Sequence, residues 1–271
     1  MRLLMTKFLS LSLFRSSFNS IFSFRFSLSI HHLLIVGLVL LPKDSLSNEA
    51  SFIGNAYDLS SNELLYTEHH YYVSEVIHKV EYREPNGEVF ATKTINYEKS
   101  FFSPDFILEN KRNGEFISVK KNNQQVILEY KENRQSSIER SKINDSSSLV
   151  IDAGFDHFIT SNWDALISGN SLSVNYLIPS KGDYYELMLK QVNCDSGNDN
   201  SENSEKSFCF SISSSSFFIR IFSNELLLTY SKVNTESNTT TNNYRLTRFK
   251  GRTNISDVKG NYQDAYIRYQ F

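Results

Sequence analysis

An imbalance of charge is the first thing this sequence lacks. Its 28 Lys and Arg are met by 30 Asp and Glu, and no basic run stands out. Nucleic acid demands a clustered positive surface, so that partner class is not expected. The chain also lacks a Walker loop, a dinucleotide-binding glycine fingerprint, a Gly-x-Ser-x-Gly elbow and a His-Glu-x-x-His helix. The commonest recognisable enzymes and cofactors go with them, and the expectation is a non-enzyme without cofactor or metal. With 40% hydrophobic and 14% aromatic residues in 271, the chain is nonetheless rich enough to build a core.

No apolar run is long enough to span a bilayer. The longest at the N-terminus, Leu33 to Leu41, is nine residues, against the roughly 20 that a helix needs. Arg2, Lys7, Arg15 and Arg25 precede it, and Pro42 and a polar stretch follow, which is the layout of a signal peptide. Ser45 and Ser47 supply the small residues of a cleavage site after Ser47, with Ala50 as the other choice. Residues 1–47 are thus read as a signal peptide and 48–271 as one domain of an exported protein, periplasmic or secreted, with no transmembrane anchor after cleavage. No Cys stands directly after the apolar run, which excludes an acyl anchor there.

Only two cysteines occur, Cys194 and Cys209, with neither a Cys-x-x-Cys spacing nor a nearby His. In an exported chain they read as a disulfide rather than a metal or redox pair. Between them lies a polar loop, 195–206, and a second low-complexity loop covers 231–243.

Most of the remainder reads as strand. Val76, His78, Val80 and Tyr82 alternate with Ile77, Lys79 and Glu81; Pro85-Asn86-Gly87 marks a turn; and Val89, Ala91, Ile95 and Tyr97 share the next face, predicting a hairpin over 75–97. Asn113-Gly114 and Asn122-Asn123 extend this into a meander. After a polar stretch at 133–147, strands resume at Leu172 to Ile178, Tyr184 to Val192, Phe208 to Ile212, Phe217 to Phe222, Glu225 to Tyr230, Tyr244 to Lys250 and Ala265 to Phe271.

One stretch breaks the pattern. Phe155, Phe158, Ile159, Trp163, Leu166 and Ile167 fall on one face of a helix, with Asp152 placed to cap its start and Gly169 to end it. About ten short strands and one helix predict a mainly β fold, a strongly curved antiparallel sheet forming an unclosed barrel around residues 153–168.

Gly54-x-Ala56-Tyr57-Asp58-Leu59, the Asp152-Ala153-Gly154-Phe155-Asp156 entry to the helix and a terminal strand after Thr253-Asn254-Ile255 resemble a group of uncharacterised exported bacterial proteins. Their architecture is similar to the unclosed β-barrels that carry lipoproteins across the periplasm of the Gram-negative envelope. The resemblance implies a periplasmic fold and transfers no catalytic residue, because that fold carries none to match. The carriers usually hold more than one helix against the sheet, whereas this sequence predicts one.

Two groups are weighed for chemistry. His157 lies on the polar side of the helix with Asp152, Asp156 and Asp164, none of which the helical spacing brings to the imidazole, so a solvated face is the plainer reading. Glu68-His69-His70 with His78 would need Glu68, His70 and His78 to converge before they could hold a metal, and sheet-face histidines are the plainer reading there. The acidic residues Asp195, Asp199, Glu202 and Glu205 lack the register of a calcium loop. The expected function is therefore binding or carriage of an apolar ligand (lipid, acyl chain or lipoprotein segment) on Phe155, Phe158, Trp163 and Ile167. The alternative is a structural or interaction protein of the envelope, partnered by another envelope protein, with a filled core.

Overall fold

The computed structural model describes residues 49–122, 124–145, 148–194, 207–214, 226–233 and 244–271. The signal-peptide reading of 1–47, the acidic loop at 195–206, most of the loop at 231–243 and the strand expected at 217–222 lie outside them.

Alternating inward and outward residues build the first eight strands as a meander. They are β1 (Phe52–Asp58), β2 (Leu64–Tyr72), β3 (Ile77–Arg83), β4 (Val89–Asn96), β5 (Asp105–Asn110), β6 (Phe116–Lys121), β7 (Gln125–Lys131) and β8 (Glu139–Asn144). A two-residue strand β9 (Leu149–Val150) leads to helices α1 (Gly154–Ser161) and α2 (Trp163–Ile167). Then follow β10 (Leu172–Ile178), a 3-10 turn at Pro179–Lys181, β11 (Asp183–Val192), β12 (Ser207–Ser214), β13 (Leu226–Lys232), β14 (Tyr244–Ser256) and β15 (Tyr262–Gln270).

All fifteen described strands join one sheet in the order β8-β7-β6-β5-β4-β3-β2-β1-β15-β14-β13-β12-β11-β10-β9. Every pairing is antiparallel except β9 with β10. The last strand, β15, pairs with the first, β1, so the ends of the described chain meet at the centre of the sheet. The hairpin over 75–97 forms as expected, with Gly87 at φ 91° in its turn.

Three expectations are corrected. The described residues hold fifteen strands rather than about ten, because β1, the polar strand β8 and the short β9 carry too little alternation to stand out. The single helix over 153–168 is two helices broken at Asn162, whose side-chain amide donates to the carbonyl of Phe158 at 2.8 Å and so competes with the helical ladder. The strong curvature around that helix is not what forms: the described strands make one open sheet, unclosed as expected, and the helices cover only part of one half.

Burial follows this division. One apolar cluster gathers Ala56, Val80, Ile95, Leu108, Val119 and Leu128 from β1 to β7 with neighbours from other elements. The other packs Ile159, Trp163 and Leu166 of the helices against Val174, Leu187, Leu189, Phe210 and Tyr230. The sheet is not flat between the halves. Asn110 on β5 donates to the Ser256 carbonyl on β14 at 2.9 Å, although six strand spacings of about 4.8 Å separate them along the sheet.

Asp152 does not cap α1. It sits at φ 45°, and α1 has no side-chain cap; its carboxylate turns instead to Lys93. The next turn is held tightly, because a Cβ on Gly154 would stand 2.0 Å from the Phe102 carbonyl oxygen, so only glycine fits. Gly169 ends the helical segment at φ 89°, as expected.

Cys194 and Cys209 form a disulfide between the end of β11 and β12. Closing a loop of 15 residues contributes about 3 kcal/mol in the chain-entropy picture. The bond points to an oxidising compartment. Among the described residues no helix is long and apolar enough to cross a membrane.

Candidate functional site

Between the two apolar clusters lies a cavity of about 1190 Å³. Ile95, Leu108 and Ile117 line it from the first half of the sheet, and Leu187, Ile212 and Leu228 from the second. Period-two alternation explains the wall: each strand sends every other side chain to this face. Exposed aromatics, Tyr72, Phe101 and Phe271, also border it.

Polar groups interrupt the apolar wall in two places. On β2 and β3, Glu68, His70 and His78 form a hydrogen-bonded line, with His70 Nε2 3.3 Å from Glu68 Oε2 and His70 Nδ1 3.1 Å from His78 Nε2. One proton lies between His70 Nδ1 and His78 Nε2, on whichever ring donates, and His70 Nε2 donates to the Glu68 carboxylate. Tyr269 on β15 donates its hydroxyl to the same Glu68 oxygen at 3.2 Å, and burial, with Glu68 beside it, pushes that hydroxyl far above the usual tyrosine range. Phe52 stacks on His70 at 4.0 Å. Gly54 leaves the room this needs, since a Cβ there would meet the Tyr269 ring at 2.7 Å and Glu68 Oε2 at 3.2 Å.

The second polar place is an ion pair. Lys93 on β4 is 3% exposed, and its ammonium donates to both Asp152 oxygens at 2.9 and 2.5 Å. Asn254 adds a third hydrogen bond to Asp152 at 3.2 Å, and the rings of Tyr82 and Phe106 lie 5.9 and 5.6 Å from the ammonium. Nearby, Tyr230 donates to Asp156 at 2.6 Å.

Burial, helped by the positive charges of His70, Lys93 and His157, pushes the His78 imidazole down to about 3. His78 is thus neutral in the fold, and the sign of its linkage follows. As pH drops below its unfolded value near 6.5, the unfolded chain takes up a proton that the folded chain refuses until about 3, so stability is lost across that window. Urea unfolding at pH 7.5 and 5.0 should differ by about 2 kcal/mol on account of His78. His78→Gln should remove that share. His69 and His157 are pushed down as well, chiefly by burial, so a slope remains; an unchanged slope in the variant would contradict a neutral His78.

Phe155, Phe158, Trp163 and Ile167 all belong to the second apolar cluster, but they do not face the cavity together. Phe155 lines the cavity. Trp163 is buried instead among Phe208, Phe210, Tyr230 and Tyr244, with ring centres 5.1 to 5.5 Å away. Phe158 packs on Phe102 and Phe155, and Ile167 joins the same cluster at its edge. His157 is half-buried beside Tyr97 and Phe101 at the cavity, and Asp164 is exposed on α2.

Glu68, His70 and His78 do converge, but each facing ring nitrogen is spent on its neighbour. Among the described residues no group of three or more His, Cys, Asp and Glu side chains is placed to hold a metal ion. Sequence reasoning missed Lys93, Asp152 as its partner, and Tyr269. The signal for Lys93 was present: it falls between Ala91 and Ile95 on an apolar face. Comparison of the chain with protein-family models, with curated proteins and with solved structures finds no match.

Proposed function

We propose that this protein is an exported, non-enzymatic binder of an apolar or amphipathic ligand, a lipid or acyl chain, held between the two facing halves of a bent sheet. The observation that carries this reading is the cavity of about 1190 Å³ with predominantly apolar walls, larger than the range of roughly 300 to 1,000 Å³ usual for small-molecule sites. A purely structural protein would be expected to fill such a space with side chains. The sites for the ligand are the cavity walls, with Phe155 the contribution of the helices. The disulfide supports an exported location, and the periplasm fits the likeness in layout to the lipoprotein carriers.

Native mass spectrometry of the protein isolated from the cells that make it should show adducts in the mass range of lipids. A bare polypeptide mass under gentle ionisation would favour the structural alternative.

A further inference from the structure

We propose that the ligand carries a hydrogen-bond-donating head group, a hydroxyl or an amine, which is received by Glu68 on the cavity wall. This rests on the reading of the cavity as a ligand site. Glu68 is 5% exposed and borders the cavity. A carboxylate offers about four lone-pair positions over its two oxygens. Both hydrogen bonds that Glu68 receives, from Tyr269 and from His70, go to Oε2, and among the described residues Oε1 accepts none.

Three other charged groups along the cavity are answered from within the protein. Lys93 is taken by Asp152, Asp156 receives the Tyr230 hydroxyl, and Arg252 holds Asp264 at 2.7 Å. His78 is committed to His70. Glu68 Oε1, on the cavity wall, keeps lone pairs that no described side chain fills. A head group that brings a donor takes up those lone pairs in place of water. A carboxylate head would set like charge against Glu68, and an ester brings only acceptors. Arg245, exposed beside Phe271 at the cavity, is the group an anionic head would choose instead.

Isothermal titration of the delipidated full chain at pH 8 with four probes of one chain length tests this: monolauroylglycerol, dodecylamine, lauric acid and methyl laurate. The two donor heads should bind about tenfold or more tighter than methyl laurate, the factor one hydrogen bond to a charged group contributes. Glu68→Gln keeps an acceptor but removes the charge, so it should cut the donors' advantage over methyl laurate, most of all for dodecylamine. The wild-type ranking decides without the variant, should Glu68→Gln fail to fold. Methyl laurate binding as tightly as the donors, or lauric acid doing so in an Arg245→Ala background, would overturn the head-group proposal and leave the cavity reading standing. No binding by any of the four would overturn the cavity reading and this proposal with it.

Discussion

Replacing Lys93 with alanine is expected to lower the unfolding free energy by about 3 to 5 kcal/mol. The ammonium is almost completely buried, and its partner Asp152 is 11% exposed at its side chain, so neither charge has bulk water to fall back on. Removing one partner leaves the other to bear its desolvation alone, with only the Asn254 amide at 3.2 Å as compensation. For a domain of this size the loss corresponds to a melting temperature lower by about 10 °C. Asp152→Asn should cost a similar amount by stranding the ammonium, while asparagine tolerates the left-handed backbone at that position. The double variant Lys93→Met with Asp152→Asn removes both charges and should recover most of the loss. Thermal and urea unfolding of the wild type, Lys93→Met, Asp152→Asn and the double variant form a double-mutant cycle. A coupling below about 0.5 kcal/mol would mean that water reaches the pair freely, contrary to its burial.

The pair also ties distant parts of the chain together. Lys93 lies on β4 and Asp152 just before α1, 59 residues apart, so the strength of this contact sets how firmly the helices are anchored to the first half of the sheet. Gly154, pressed against the Phe102 carbonyl, fixes the same junction from the backbone side.

Filling the cavity should leave stability nearly unchanged while weakening binding. Ile77 and Leu246 face it from the two halves of the sheet and are half-buried. In a packed interior, enlarging either to tryptophan would cost about 1 to 3 kcal/mol through overpacking. Against an open cavity, the added ring gains contacts and finds space, so Ile77→Trp and Leu246→Trp should leave the unfolding free energy within about 1 kcal/mol of wild type. Both should lose lipid adducts in native mass spectra and weaken monolauroylglycerol binding at least tenfold. Strong destabilisation with adducts retained would show that the ligand sits elsewhere and that these walls are close-packed.

Local pattern alone announced the meander from β3 to β7, the hairpin turn at Asn86-Gly87 and the glycine stop at Gly169, because turn chemistry and period-two alternation act over a few residues. The disulfide followed from two cysteines flanking a polar loop. Less was legible where a strand is polar or very short, as in β8 and β9, since their membership in the sheet comes from neighbours rather than from their own side chains. The helical stripe was visible, yet its break was not: Asn162 looks like one more polar-face residue until its amide reaches the Phe158 carbonyl.

The candidate site divides along the same line. Glu68 and His70 share a face by strand alternation, and the sequence alone placed them together with His78 as a group worth weighing. That Tyr269, 201 residues away, donates to Glu68 depends on β15 returning to pair with β1 at the centre of the sheet, a long-range registration that no local pattern encodes. Lys93 stood on an apolar face in plain view, and alternation determined that it would be buried. Which residue would answer its charge was decided only by tertiary structure. Asp152 had an equally good local use as a helix cap, and a buried ammonium within 2.9 Å outweighs the exposed amides of one helical turn.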